Sequence, residues 1–134
     1  MSGAPGAGLL LDTHAFIWWA TSDARLSLGA REAIAEPDTA VFLSVVTAWE
    51  MAIKHALGRL ELAEPPRSLV YGQIARHGYR TLPVELEHVL RAGELPLHHG
   101  DPFDRLLIAQ ARTEGLALVS ADEVFGRYDL TVVW

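Results

Sequence analysis

The sequence contains no cysteine. Disulfides, thiolate nucleophiles and cysteine-ligated zinc are thereby excluded, and the composition suits a reducing, cytoplasmic setting. Long apolar runs are missing too, since nothing approaches the roughly 20 residues that a bilayer-spanning helix needs. The stretch Phe16 to Ala20 is hemmed by Asp12, Thr13 and His14 on one side and by Thr21, Ser22 and Asp23 on the other, so no membrane association is expected. The start, Met1 to Gly8, has no basic region ahead of an apolar segment. It reads as a flexible lead rather than a secretory signal. Positive charge is scarce: eleven Lys+Arg stand against seventeen Asp+Glu, a formal net charge of −6. Binding nucleic acid by bulk charge is therefore excluded, because phosphate affinity comes from Lys and Arg. A metal-dependent nuclease with a local basic patch is not excluded. Internal repeats, linkers and low-complexity tracts are also absent.

What is present is one domain's worth of chain, 134 residues of which half are hydrophobic. A chain of this size buries roughly two-thirds of its unfolded surface, and residues 1–134 are read as a single domain. Leu9-Leu10-Leu11 is a short buried strand ending at Asp12. A helix follows over Thr13 to Ala20, capped by Asp12 or Thr13. Ser27 caps a second helix through Ala35, ended by Pro37. Ala40 to Leu43 is a second strand, and Ser44 opens a helix over Val45 to Leu57 that stops at Gly58. A helix over Arg67 to His77 ends at Gly78, Tyr79 to Val84 contains a strand, and Glu85 to Gly93 is helical. Pro102, with Asp101 before it, starts a helix to Glu114 that stops at Gly115. Leu116 to Val119 and Thr131 to Trp134 are strands. Short apolar strands alternating with helices predict an α/β fold with a central parallel sheet covered on both faces. Function then belongs at the C-terminal strand ends.

Four acids fall there. Asp12 ends the first strand, Glu50 lies about one and a half turns into the helix after the second, Asp104 is in the first turn of the helix beginning at Pro102, and Asp122 follows the strand Leu116 to Val119. Mg²⁺ prefers oxygen ligands and keeps several waters. Carboxylates brought together would bind it, and it would activate water and neutralise phosphate charge. Each acid also has a structural explanation. Asp12 and Asp122 fit as caps or turn residues, Asp104 complements a helix dipole, and Glu50 stands three residues after Thr47, a capping-box spacing, although Ser44 is the better cap. On that helix Trp49, Ile53 and Leu57 recur every four residues and are expected to face the core, with Glu50 at the edge of the stripe.

The stretches Leu9-Leu10-Leu11-Asp12-Thr13-His14, Ser44 to Lys54, Asp101 to Ala111 and Ser120-Ala121-Asp122 together resemble PIN domains, and most of all VapC-type toxins of toxin–antitoxin pairs. The resemblance runs from Leu9 to Trp134. It implies a three-layer α/β/α fold and Mg²⁺-dependent RNA cleavage, with Mn²⁺ able to substitute. It makes Asp12, Glu50, Asp104 and Asp122 the catalytic acids. Asp12 and Asp104 are the direct metal ligands, with Glu50 and Asp122 as further ligands or tuning groups. It implies an RNA substrate, a cognate antitoxin and a homodimer. Asp101 is a neighbour already explained as an N-cap, and Ser120 is placed to hydrogen-bond a carboxylate.

Other residues have simpler readings. His98-His99 reads as a solvated loop, with His99 able to approach phosphate. Lys54, one turn from Glu50, can pair with it or contact RNA. For Lys54, His55, Arg59 and Arg105, solvent-facing charge is the default. The helix holding Phe16, Ile17, Trp18 and Trp19 either covers a partner surface or is buried on most sides. Two alternatives differ in class: an aspartyl-phosphate phosphatase, which wants an acid two residues after Asp12 where His14 stands, and a degenerate PIN module that binds RNA or protein without catalysis.

Overall fold

In the computed structural model, which describes residues 8–134, Leu9–Leu11 forms β1 at the centre of a five-stranded sheet. Its three leucines are buried on both faces, as a central parallel strand requires. Around it the order is β3-β2-β1-β4-β5, with β2 at Val41–Ser44, β3 at Arg80–Leu82, β4 at Ala117–Val119 and β5 at Val132–Val133. All four pairings are parallel, with Leu9 opposite both Val41 and Ala117. Six α-helices fill the connections: α1 Thr13–Ala20, α2 Leu28–Ala35, α3 Val45–Ala56, α4 Pro66–His77, α5 Leu86–Glu94 and α6 Pro102–Glu114. The expected three-layer α/β/α fold is present, and every expected strand and helix lies within one or two residues of its predicted bounds. A 3₁₀ turn over Glu123–Arg127 was not expected.

Strand alternation splits the core in two. Leu9, Leu11, Leu43 and Val119 join Phe16, Ile34 and Leu69 from α1, α2 and α4. Leu10 and Leu118 point the other way, onto Leu107, Ile108 and Ala111 of α6. The apolar first helix is buried on most sides: Ala15, Phe16 and Ile17 are in the core, and Trp18 meets Trp134 edge-on at 5.9 Å.

The lead expected to be flexible, residues 1–8, lies outside the described residues except for Gly8. That residue is fixed. Its carbonyl accepts from the Ala117 N–H at 3.0 Å, its φ is +116°, and a Cβ there would stand 2.3 Å from the Ala40 carbonyl oxygen. Only glycine fits such a position.

Buried polar side chains lock the layers together. Gln110 accepts from the Ser44 hydroxyl and donates to the Pro83 carbonyl at 3.1 Å, tying α6 to the ends of β2 and β3. His88 accepts the Glu85 N–H at Nδ1 and meets Glu114 through Nε2 at 2.9 Å, joining α5 to α6.

One expectation about α3 fails. Trp49 and Leu57 are 57% and 61% exposed, whereas Val46, Thr47, Glu50 and Met51 are buried. The helix is turned to bury its polar edge, because Glu50 finds partners inside (below). Trp49 instead packs edge-on to Phe103 of α6, with ring centroids 5.0 Å apart.

Candidate metal centre

The strand order reverses beside β1, between β1 and β4, and such a switch point opens a crevice at the C-terminal ends of the strands. Asp12 and Asp122 lie just past those two ends. The backbone links them: the Asp12 N–H donates to the Val119 carbonyl at 3.1 Å. Asp12 caps α1, accepting the Ala15 N–H at 2.7 Å. Burial is the largest influence on its carboxyl and holds it above the usual carboxylate range, with the Glu50 charge acting in the same direction. Hydrogen bonds from the Ser120 side chain and the Ala15 backbone, together with His14, oppose that rise. The Ser120 side chain thus acts on the Asp12 carboxyl, and its hydroxyl oxygen accepts the Asp122 N–H at 3.0 Å.

Glu50 reaches the same crevice from α3. The Thr13 hydroxyl donates to its Oε1 at 2.6 Å, and the Lys54 ammonium donates to its Oε2. Both oxygens are thus occupied by protein groups, and the pairing expected of Lys54 is made. The same bond holds Lys54 above its ordinary value.

Asp104 enters from the first turn of α6. Its N–H and that of Phe103 both bond to Oδ1 of Asp101, at 3.1 and 2.8 Å, so Asp101 is the N-cap it was expected to be. The Asp104 carboxyl is pushed up to about 7, first by burial, then by the charges of Asp101 and Glu50, with a smaller push from Asp12 and opposition from His99. These influences place Asp12, Glu50, Asp101 and Asp104 within electrostatic reach of one another. Asp122 is 52% exposed at the rim, where its Oδ1 caps the 3₁₀ turn through the Val124 N–H.

Two neighbours differ from expectation. His98 is exposed against Tyr128, as a loop residue should be, but His99 turns inward, with its side chain 19% exposed. Its Nε2 lies 2.8 Å from Oδ2 of Asp104 and 4.0 Å from Oδ2 of Asp122. Its sequence position gave no hint of this, because a histidine in a loop before a helix carries no periodic signal. Arg105 is neither solvent-facing nor aimed at the acids. Its guanidinium donates to the carbonyls of Ala92, Leu95, Pro96 and His99 at 2.8–3.0 Å and holds the 92–99 segment in place.

The donor set fits a divalent cation. Partly buried carboxylates that raise one another's proton affinity bind protons or metal ions in preference to standing bare, and hard oxygen donors suit Mg²⁺ or Mn²⁺. Two clefts lie elsewhere. One of about 550 Å³ runs beside Arg91, Arg112 and Tyr128, and another of about 560 Å³ lies at the far edge by Trp19 and Tyr79.

Comparison with known proteins agrees with the fold. The PIN domain profile matches residues 9–130. Ribonuclease VapC22 of Mycobacterium tuberculosis is 35% identical over 115 residues, spanning 85% of this chain and 86% of that protein. Among solved structures, VapBC2 of Rickettsia felis bound to a promoter DNA fragment aligns with a TM-score of 0.68 at 14% identity, over 92% of this chain and 96% of that one. The toxin VapC20 of M. tuberculosis, described as cleaving the sarcin–ricin loop, aligns at 0.65 and 17%, over 92% and 97%.

Proposed function

This chain belongs to the PIN-domain family, and on that premise we propose that it is a VapC-type endoribonuclease toxin hydrolysing RNA phosphodiesters at a Mg²⁺-dependent centre, with Mn²⁺ able to substitute. The observation that carries this reading is the meeting of Asp12, Glu50 and Asp104 from separate chain segments, where burial and the Glu50 charge hold the carboxyls of both Asp12 and Asp104 above the ordinary carboxylate range. Asp12 and Asp104 hold the ion. Glu50 keeps Thr13 and Lys54 in place and adds negative charge behind them. Asp122, at the exposed rim, completes the centre on the substrate side. A divalent ion bound there supplies charge neutralisation at the phosphate and a more acidic water.

Control by a cognate antitoxin and assembly as a homodimer belong to the same reading. An exposed apolar stripe, Leu86, Val89 and Leu90 on α5, supports the dimer. Among the described residues no helix is long and apolar enough to cross a membrane.

Cleavage-site sequencing of cellular RNA after brief induction tests the proposal. Discrete new RNA ends are expected with the native chain. They should be absent with Asp12→Asn, whose amide still caps α1, and suppressed when the antitoxin is co-expressed. Identical ends from Asp12→Asn would count against it.

A further inference from the structure

His99, Asp104 and Asp122 each offer one donor atom, and these three atoms lie within 4.8 Å of one another. That looks like a cation site with a nitrogen ligand. The other ring nitrogen argues otherwise. His99 Nδ1 accepts the Asp101 backbone N–H at 3.2 Å. A backbone N–H only donates, so Nδ1 presents its lone pair and the neutral ring carries its proton on Nε2. A metal-binding histidine shows the reverse arrangement, donating its outer N–H to an acceptor while the other nitrogen faces the ion. The atom facing Asp104 is therefore a hydrogen-bond donor.

We propose that His99 is a positioning residue of the cation centre: its Nε2–H holds Oδ2 of Asp104, which fixes how that carboxylate faces the ion. The inference rests on the nuclease reading only in placing a divalent ion beside Asp104. The 2.8 Å approach is short but off the line of a hydrogen bond, and Nε2, sealed from solvent, has no hydrogen-bond partner among the described residues. Loose alignment of this kind is common in sites without their ligands.

The residue is pinned more firmly than a loop histidine needs to be. Its N–H donates to the Tyr128 hydroxyl at 2.9 Å, its carbonyl accepts from Arg105 at 3.0 Å, and its ring packs on Phe125 at 5.9 Å. Tyr128 is held in turn, donating to the Pro96 carbonyl at 2.9 Å. Restraints on the backbone at both sides and on the ring place one N–H in one direction, which is how a group that orients a ligand is built.

The test uses the full chain with Mn²⁺ as probe. Affinity is read from the spin-resonance signal of free Mn²⁺, and direct nitrogen coordination from ¹⁴N modulation of the bound ion. His99→Phe keeps the ring packing and removes the donor; His99→Gln keeps a donor at similar reach. Cation-free melting curves confirm that both variants fold. We expect no imidazole modulation in the native protein, Mn²⁺ binding weakened roughly 10- to 100-fold in His99→Phe, and recovery to within about threefold in His99→Gln. Imidazole modulation that His99→Phe removes would make His99 a ligand and overturn the inference. So would unchanged affinity in His99→Phe, or a folded His99→Gln no better than His99→Phe. RNA cleavage is assayed separately. Its absence from the native chain, with the Mn²⁺ results as expected, would sink the nuclease reading and leave this one standing.

Discussion

Asp104→Asn is expected to stabilise the cation-free protein while destroying its affinity for the cation. In the native fold the Asp104 carboxyl is raised from 3.8 to about 7 by burial and by the charges of Asp101, Glu50 and Asp12. A raised acid favours the folded state while it stays protonated. That contribution is complete below pH 3.8 and is lost as pH rises through about 7. Above pH 7 the fold must carry an ionised group that the unfolded chain carries at no cost. At about 1.4 kcal/mol per pH unit the ceiling of this penalty is about 4 kcal/mol. The side chain is 23% exposed, so solvent and counterions reduce it to about 1–2 kcal/mol. Losing a negative charge in the first turn of α6 takes back about 0.5 kcal/mol. The net gain of about 1 kcal/mol at pH 8 corresponds to a melting temperature higher by roughly 3–6 °C. Thermal melts in EDTA at pH 8, 6 and 4 check this: the gain should shrink with falling pH and vanish near pH 4. Saturating Mn²⁺ should then raise the native melting temperature and leave that of Asp104→Asn unmoved. A variant no more stable than the native chain at pH 8, or a difference independent of pH, would refute the reasoning.

Two further outcomes follow from the same geometry. Because the ion takes up Asp104 only as the carboxylate, cation affinity should strengthen up to about pH 7 and level off above it, with a proton released on binding at pH 6. Calorimetry in buffers of different ionisation heat measures that proton, and affinity flat from pH 5.5 to 7.5 would contradict it. Arg105→Ala removes the donor to four carbonyls and should cost about 2–3 kcal/mol while loosening the segment that carries His99. Arg105→Lys should recover little of this, since an ammonium cannot reproduce the planar fork. Urea denaturation with hydrogen exchange over residues 92–99 measures both effects.

The strands and their order of appearance were legible because buried parallel strands read as short apolar runs, and Leu9-Leu10-Leu11 is the clearest. The caps at Asp12, Ser44 and Asp101 and the stops at Gly78 and Gly115 were legible because each obeys a local rule of backbone hydrogen bonding. The four acids were legible as residues just past strand ends or early in the helices that follow. What was not legible depends on partners distant in sequence. The burial of Glu50 needs Thr13, 37 residues away, and that pairing turns α3 so that Trp49 faces outward. Gln110 is buried against Ser44, 66 residues away, and an isolated glutamine in a helix announces nothing. His99 turns inward because Arg105 and Tyr128 grip its backbone, a contact that no periodicity predicts.

The account stands most directly on RNA hydrolysis by the purified chain. With Mg²⁺ or Mn²⁺ present, discrete cleavage of a structured RNA pool is predicted. Excess EDTA should stop it, restored cation should return it, and a folded Asp12→Asn or Asp104→Asn should lack it under all conditions. Cleavage that persists at full rate in EDTA, or in either variant, would contradict a centre built from these carboxylates and a divalent ion.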